Sequence, residues 1–91
     1  MNGATNPQAQ SLRSRLLALI REILNRGTDH DVPADARLSE LGMSSIKMVN
    51  LMLAIEGEFD LSIPQNDITP DNFRSVASVE SMLARLLGLK P

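Results

Sequence analysis

Residues 40–49 read Glu-Leu-Gly-Met-Ser-Ser-Ile-Lys-Met-Val and mark the start of a helix. Gly42 can adopt backbone angles that are closed to other residues, which suits the bend before the helix. Ser44 is a good N-cap, because its hydroxyl can accept a hydrogen bond from one of the free N–H groups of the first turn. Ser45 then falls in that turn, where the free N–H groups and the helix dipole favour an anion. Its hydroxyl is therefore a suitable attachment point for a phosphodiester.

Two apolar stripes run along the helix predicted over residues 45–58, drawn at about 100° per residue. The first, which we expect to face the core, comprises Met48, Leu51, Met52, Ile55 and Phe59. The second comprises Ile46, Val49 and Leu53, with Glu56 between the two stripes. A surface helix in a small domain needs only one stripe to pack on the core. The second stripe is therefore either buried against the preceding loop or exposed as a docking surface.

The N-terminal part of the chain predicts a tail, a helix and a long loop. Residues 1–10 are polar and contain Pro7, which predicts a flexible tail ahead of a single domain over residues 11–88. The helix that follows is expected to end near Gly27, which suits a C-terminal cap. Its apolar side consists of Leu12, Leu16, Leu19, Ile20, Ile23 and Leu24. We interpret the arginines on the other side as a solvated face. The loop over residues 28–43 has three apolar anchors, Val32, Leu38 and Leu41.

The C-terminal part predicts a short helical turn and a last helix. The turn lies within residues 60–72, with Ile68 as its apolar anchor. Ser75 is the expected N-cap of the last helix and Gly88 its end. The apolar face between them consists of Val76, Val79, Met82, Leu83 and Leu86. No strand-like alternation persists, so we predict an all-α fold, a small four-helix bundle of three main helices and one short helix. The expected core comprises Leu16, Ile20, Ile23, Leu51, Ile55, Phe59, Val79 and Leu83.

The composition narrows the classes of function. The chain has 91 residues, a net charge of −2 and no Cys, so it has no thiol nucleophile, disulfide or thiolate metal site. Residues 29–73 hold nine acidic residues against Arg37 and Lys47. We therefore expect no nucleic-acid partner, since binding nucleic acid needs clustered Lys and Arg. A partner protein with a cationic surface is favoured instead. No signal peptide or membrane span is visible, and we expect a cytoplasmic monomer.

Neither a metal site nor a catalytic site is predicted. His30 lies between Asp29 and Asp31, but metals need several convergent ligands, so we interpret this segment as a solvated turn. A nucleophilic Ser44 or Ser45 would need an activating base and an oxyanion site. The single His lies in another loop, and no Gly-x-Ser-x-Gly elbow is present. We therefore predict that the chain is not an enzyme.

The stretch that starts the second helix resembles a family motif. Residues 41–46, Leu-Gly-Met-Ser-Ser-Ile, resemble the Leu-Gly-x-Asp-Ser-Leu motif of acyl carrier proteins. The similarity covers residues 12–87 and continues through Leu51, Glu56, Phe59, Ile63 and Pro64, like the family's Glu-x-x-Phe-x-x-x-Ile-Pro ending. In that family the serine before the apolar residue carries 4′-phosphopantetheine, which implies Ser45 here. Ser44 stands where the family has Asp, which leaves two adjacent hydroxyls.

The resemblance implies the fold, the prosthetic group and the partners of a carrier protein. A phosphopantetheinyl transferase would load the arm from coenzyme A, and the arm would hold acyl groups as thioesters. Acyl- or aminoacyl-loading and processing enzymes would then be the partners. Carrier proteins present the second helix to such enzymes, which implies a docking face of Ile46, Val49, Asn50, Leu53 and Glu56.

The cargo and one alternative function stay open at this point. Lys47, Asn50 and Gly57 stand where fatty-acid carriers have an acidic helix, and residues 69–76 loosely resemble D-alanyl and other aminoacyl carriers. Both features favour a carrier outside fatty-acid synthesis. The alternative is a non-catalytic helical interaction module without a prosthetic group, whose second apolar stripe docks a partner helix.

Overall fold

The computed structural model describes the backbone of residues 7–25 and 32–89, and side chains from residue 12 onward. Within these ranges lie three α-helices, α1 (Pro7–Leu24), α2 (Ser45–Phe59) and α3 (Val76–Leu86), and two 3₁₀ turns, Leu38–Leu41 and Gln65–Asp67. They contain no strand, only a single antiparallel bridge between Arg37 and Ser75. The all-α class is thus confirmed for this part of the chain. In place of the short fourth helix, the structure has the three-residue turn at Gln65–Asp67. No helix in the described ranges could cross a membrane.

The first helix begins earlier and ends earlier than the sequence predicts. It starts at Pro7, so residues 7–10 are helical rather than part of a tail. Proline is well suited to the first helical position, where its missing N–H is not needed, and Gln and Ala then extend the helix. Asn25 has a φ of 60° and follows the last helical residue, Leu24. Gly27, the predicted cap, lies outside the described residues.

The core forms where α1 packs against α2 and α3. Seven of the eight predicted core residues are buried, and Ile23 alone is half-buried at the edge of the cluster. Further buried apolar side chains come from α1, from α3 and from both connections: Leu12, Leu24, Val32, Leu38, Met43, Ile63, Phe73, Val76 and Met82. The inward stripe of α2 is confirmed at its centre, Leu51 and Ile55, whereas Met48 and Met52 at its side are only half-buried.

Two arginines of α1 are exposed, as the interpretation of a solvated face predicts, and they also connect α1 to the other two helices. Arg13 binds the carboxylate of Glu80 on α3, with 3.0 Å between Nε and Oε1. These hydrogen bonds and the charge of Glu80 raise the pKa of Arg13. Arg15 donates to Glu58 on α2, both to its carboxylate at 2.7 Å and to its carbonyl at 2.6 Å. Its guanidinium also lies 4.5 Å from the ring centroid of Phe59. The second contact satisfies a carbonyl at the end of α2.

The long loop is fixed by backbone hydrogen bonds to the start of α3. The N–H of Leu38 donates to the carbonyl of Arg74 at 2.9 Å, and the N–H of Ala77 donates to the carbonyl of Ala34 at 2.9 Å. The second bond pairs a first-turn N–H group that α3 cannot satisfy itself. Of the predicted loop anchors, Val32 and Leu38 are buried and Leu41 is half-buried.

One prediction is corrected in the segment between α2 and α3, and two are confirmed at the ends of α3. Ile68 is 44% exposed and is not the apolar anchor; Phe73 is buried there instead. None of the three residues of the 3₁₀ turn is buried, and Ile68, which follows the turn, lies at the surface with them. Ser75 caps α3, with its hydroxyl accepting from the N–H of Ser78 at 3.2 Å. Gly88 ends the helix with a φ of 73°, which favours glycine.

Candidate functional site

The turn before α2 orients two adjacent serines differently. Gly42 has a φ of 100°, and the N–H of Met43 then donates back to the carbonyl of Leu38 at 3.0 Å. Met43 is buried, which fixes the chain two residues before the first residue of the helix. Ser44 is in an extended conformation and its hydroxyl accepts from the N–H of Lys47 at 3.2 Å. The predicted N-cap is therefore confirmed, and the hydroxyl of Ser44 is engaged in holding the helix start.

Ser45 is the first residue of α2 and has an exposed side chain. Its hydroxyl makes no hydrogen bond with any side chain or backbone group that the structure describes. Both side chains are exposed, but the hydroxyl of Ser44 is engaged in the cap, so a group attached at Ser45 displaces none of the contacts that the structure describes. The first turn of α2 carries no acidic side chain. The positive end of the helix dipole would therefore act on an anion at this oxygen without a competing carboxylate from that turn.

The second apolar stripe of α2 is exposed. Ile46, Val49 and Leu53 are 75%, 53% and 62% exposed, so they are not buried against the loop. Asn50, also exposed, lies beside them. We call Ile46, Val49 and Leu53 the outer strip. They follow Ser45 along a single side of the helix, and a contiguous apolar strip of this kind is typical of a contact surface.

Glu56, the fifth predicted docking residue, has a structural contact that the sequence did not indicate. It is half-buried, and its carboxylate accepts a hydrogen bond from the backbone N–H of Ile63 at 2.9 Å. The same residue's carbonyl accepts from the N–H of Leu61 at 3.2 Å. Glu56 therefore closes the chain reversal after α2. Any role in docking falls to the part of its side chain that remains accessible beside Leu53.

A groove of about 590 Å³ lies beside α2. Its apolar lining includes Met48 and Met52 of α2 together with Ile68, Pro70 and Phe73. Its polar lining consists of Arg37, Ser39, Thr69 and Arg74. The sequence did not predict this groove, because its walls come from three separate segments. One signal was available: Met48 and Met52 flank the inward stripe, and flexible Met side chains often line such sites.

No group of three metal-ligating side chains comes together within the ranges that the structure describes. The candidate His30, with Asp29 and Asp31, lies outside those ranges, so its interpretation as a solvated turn stays a prediction.

Comparison with known proteins identifies the family. The family model described as a phosphopantetheine attachment site matches residues 14–86. Aminoacyl carrier protein 2 of Bradyrhizobium diazoefficiens is 44% identical over 81 residues, which cover 88% of this chain and 91% of that protein. Aminoacyl carrier protein 1 of the same organism is 45% identical over 73 residues, covering 79% of this chain and 81% of its own length.

Solved structures agree with this match. A Bradyrhizobium japonicum complex of glycine:[carrier protein] ligase with its cognate carrier protein and an analogue of glycyl adenylate contains a chain that superposes with a TM-score of 0.75. That chain is 37% identical, and the match covers 82% of the present chain and 97% of the other. A holo acyl carrier protein from Nitrosomonas europaea has a TM-score of 0.74 at 24% identity, over 87% and 98% of the two chains, and supports the fold.

The chain therefore belongs to the family of phosphopantetheine-bearing carrier proteins. The family resemblance, the carrier class and 4′-phosphopantetheine as the prosthetic group, all predicted from the sequence, are confirmed.

Proposed function

We propose that this protein is an aminoacyl carrier whose 4′-phosphopantetheine arm is attached to the hydroxyl of Ser45. The observation that supports this most directly is the contrast between the two serines. Both serines are exposed, but Ser44 uses its hydroxyl to cap α2, whereas the hydroxyl of Ser45, at the first helical position, has no hydrogen-bond partner among the described residues. The position in the family motif, directly before an apolar residue, points to the same serine.

The chemistry of loading requires a separate transferase. The oxygen of Ser45 would bond to the phosphorus that bears the pantetheine in coenzyme A, while that phosphorus releases the nucleotide part and the hydroxyl proton passes to a base of the transferase. The arm supplies the thiol on which a thioester forms. The chain itself then holds and presents the arm and needs no catalytic residue, so we propose that it is not an enzyme.

The cargo proposed here is an aminoacyl group, and the loading partner an amino acid:[carrier protein] ligase. The support comes from the relatives that are named aminoacyl carrier proteins and from the ligase complex that contains a carrier of the same fold. The outer strip, flanked by Asn50 and Glu56, is the proposed docking face. Lys47 and Asn50 reduce the negative charge of this helix, so apolar contact with the partner outweighs long-range attraction.

Three further expectations complete the proposal. The carrier domain spans residues 11–88 together with the extra helical turn at Pro7. The protein works as a monomer, because its exposed apolar side chains form a narrow strip suited to a transient partner. A cytoplasmic location matches the supply of coenzyme A to the transferase. The alternative, an interaction module without a prosthetic group, shares the exposed strip, but the family match favours the carrier.

Intact mass after incubation with coenzyme A and a broad-specificity phosphopantetheinyl transferase tests the attachment site. The wild type should gain one phosphopantetheine mass and Ser45→Ala none. The matched control, Ser44→Ala, should still be loaded and lose about 1 kcal/mol of stability, the usual value of an N-cap. Loading of Ser45→Ala, located at Ser44 by peptide mapping, would show that the wrong serine was chosen.

A second measurement tests the cargo. The holo protein is incubated with ATP, a panel of amino acids and the ligase from its native source, and the thioester is detected by its mass and its lability to hydroxylamine. An aminoacyl adduct on Ser45 supports the proposal, whereas exclusive loading with a fatty acyl group contradicts it.

A further inference from the structure

Arg37, in the loop before α2, combines a fixed backbone with an exposed side chain. Its backbone forms an antiparallel bridge with Ser75, and the N–H of the next residue, Leu38, donates to the carbonyl of Arg74 at 2.9 Å. The carbonyl of Arg37 accepts from the N–H of Glu40 at 3.0 Å. Among the residues that the structure describes, its guanidinium has no ion-pair partner. Arg37 therefore presents a cation from a fixed point of the loop.

The turn before α2 brings this cation close to the start of the helix. The N–H of Met43 donates to the carbonyl of Leu38 at 3.0 Å, so the residue after Arg37 contacts the chain two residues before Ser45. Arg37 also lines the same groove as Met48. Met48 lies one turn after Ser45, about 4.5 Å along the axis of α2 and about 60° around it. Arg37 and the hydroxyl of Ser45 therefore lie on neighbouring sides of the first turn of α2.

A guanidinium suits the group that the attachment would create. A phosphodiester carries one negative charge on two non-bridging oxygens, which an arginine can bind through two parallel hydrogen bonds. Most exposed ion pairs contribute little, partly because two long side chains must be ordered. Here Arg37 starts from a fixed backbone, and the phosphorus would be bonded directly to the oxygen of Ser45 at the start of α2, so few bonds are restricted. Asp35 and Glu40 are near Arg37 in sequence, but both are exposed and neither is paired with it.

We propose that Arg37 anchors the root of the prosthetic group: its guanidinium binds the non-bridging oxygens of the phosphodiester on Ser45. The inference rests on the proposed function for attachment at that serine. Val49, the nearest residue of the outer strip, lies about 40° from Ser45 in the direction opposite to Met48. A phosphate held on the side of Met48 therefore turns the first bonds of the arm away from the outer strip. The strip then stays uncovered for a partner, while the rest of the arm keeps its freedom.

Nuclear magnetic resonance spectra of the protein before and after loading provide the test. The Nε–H resonances of the arginines report on their side chains, and Arg13 and Arg85, which are paired with carboxylates, serve as internal references. Loading should shift the resonance of Arg37 at least about threefold more than those of the references, because a guanidinium that binds phosphate changes its hydrogen bonds. Raising the salt concentration from about 20 mM to about 0.5 M should reduce the Arg37 shift by at least about half, because salt screens exposed charges.

Variants of the loaded protein distinguish a direct contact from a general effect of charge, with the ³¹P resonance of the arm as the readout. Arg37→Gln should shift this resonance, and Arg37→Lys, which keeps the charge without the planar fork, should give a smaller shift. Lys47→Gln removes the same charge only two residues from Ser45 but about 160° around α2, and should shift it at most about a third as much as Arg37→Gln. Equal ³¹P shifts for Arg37→Gln and Lys47→Gln would overturn the proposal, as would an Arg37 resonance that loading leaves unmoved.

Failure of the proposed function is recognised separately, by the absence of a mass increase after the transferase reaction. The anion site can then still be tested, because the chain has no Cys and Ser45→Cys provides a single thiol. Methanethiosulfonates that bear a sulfonate or a trimethylammonium group place either charge at this position through a disulfide. The sulfonate should shift the Nε–H resonance of Arg37 at least about threefold more than the trimethylammonium group, because only the anion can accept its hydrogen bonds. Equal shifts from the two groups would show that Arg37 does not bind an anion at this position.

Discussion

Leu51 and Leu53 are the same residue type in the same helix, but their solvent exposure differs completely. Leu51 is 0% exposed in the core, whereas Leu53 is 62% exposed on the outer strip. Replacing each with Ala changes helix propensity by the same small amount. The difference between the two variants therefore measures burial alone. Leu51→Ala should destabilise the protein by about 2–5 kcal/mol, because it loses the transfer energy of the side chain and leaves a cavity.

Leu53→Ala should change the free energy of unfolding by less than about 0.5 kcal/mol, as for most surface substitutions. Urea denaturation followed by circular dichroism distinguishes the two. With an m-value of about 1 kcal/mol/M, at the low end for small proteins, the midpoint for Leu51→Ala should fall by about 2 M or more. The midpoint for Leu53→Ala should stay within about 0.5 M of wild type.

In a functional assay we expect the larger effect from Leu53→Ala and the smaller effect from Leu51→Ala. Initial rates of aminoacyl loading by the cognate ligase, measured on protein that is fully folded, should fall for Leu53→Ala, which removes part of the proposed docking face. Under the same conditions Leu51→Ala should load at a rate close to wild type, because it changes no exposed group. A large loss of stability for Leu53→Ala would refute the assignment of the outer strip to the surface. An unchanged loading rate would refute its role in docking.

Two further substitutions test the backbone arrangement around α2. Gly42 and Gly57 both have open space where a Cβ would lie, but of the two only Gly42 has a positive φ. Gly42→Ala should therefore destabilise the protein by about 1–3 kcal/mol, whereas Gly57→Ala, inside the helix, should stabilise it by about 0.5–1 kcal/mol. Thermal melts measure both changes. A gain in stability from Gly42→Ala would contradict the turn geometry. Glu56→Ala should cost about 1–3 kcal/mol by leaving the N–H of Ile63 without its acceptor, whereas Glu56→Gln keeps an acceptor and should cost less. Equal losses would show that this hydrogen bond has no role in stability.

The start of α2 and the core could be predicted from the sequence because their signals are local. The cap of Ser44 joins residues three apart, and the inward stripe repeats with the period of the helix. Exposure of the outer strip was left open by the pattern alone, since burial against the loop gives the same spacing. Only the path of the loop, which passes to the start of α3, decided between the two.

The remaining features depend on contacts between distant segments. The bond from the N–H of Ala77 to the carbonyl of Ala34 involves backbone atoms, which every residue type provides, so the sequence carries no sign of it. The groove needs Arg37, Met52 and Arg74 to meet. The pairing of Arg13 with a residue 67 positions away likewise has no signal in the sequence.

These contacts also support the proposed role of α2, because they hold the helix in the fold and leave its outer side accessible. Its inner side is held by the core through Leu51 and Ile55, and its end by the contacts of Arg15. Its start is held from the other direction, because the loop before it is bonded to α3. The hydroxyl of Ser45 takes part in none of these contacts. An arm attached there would therefore move freely from a fixed point, and the outer strip beside it can meet a partner without any rearrangement of the fold.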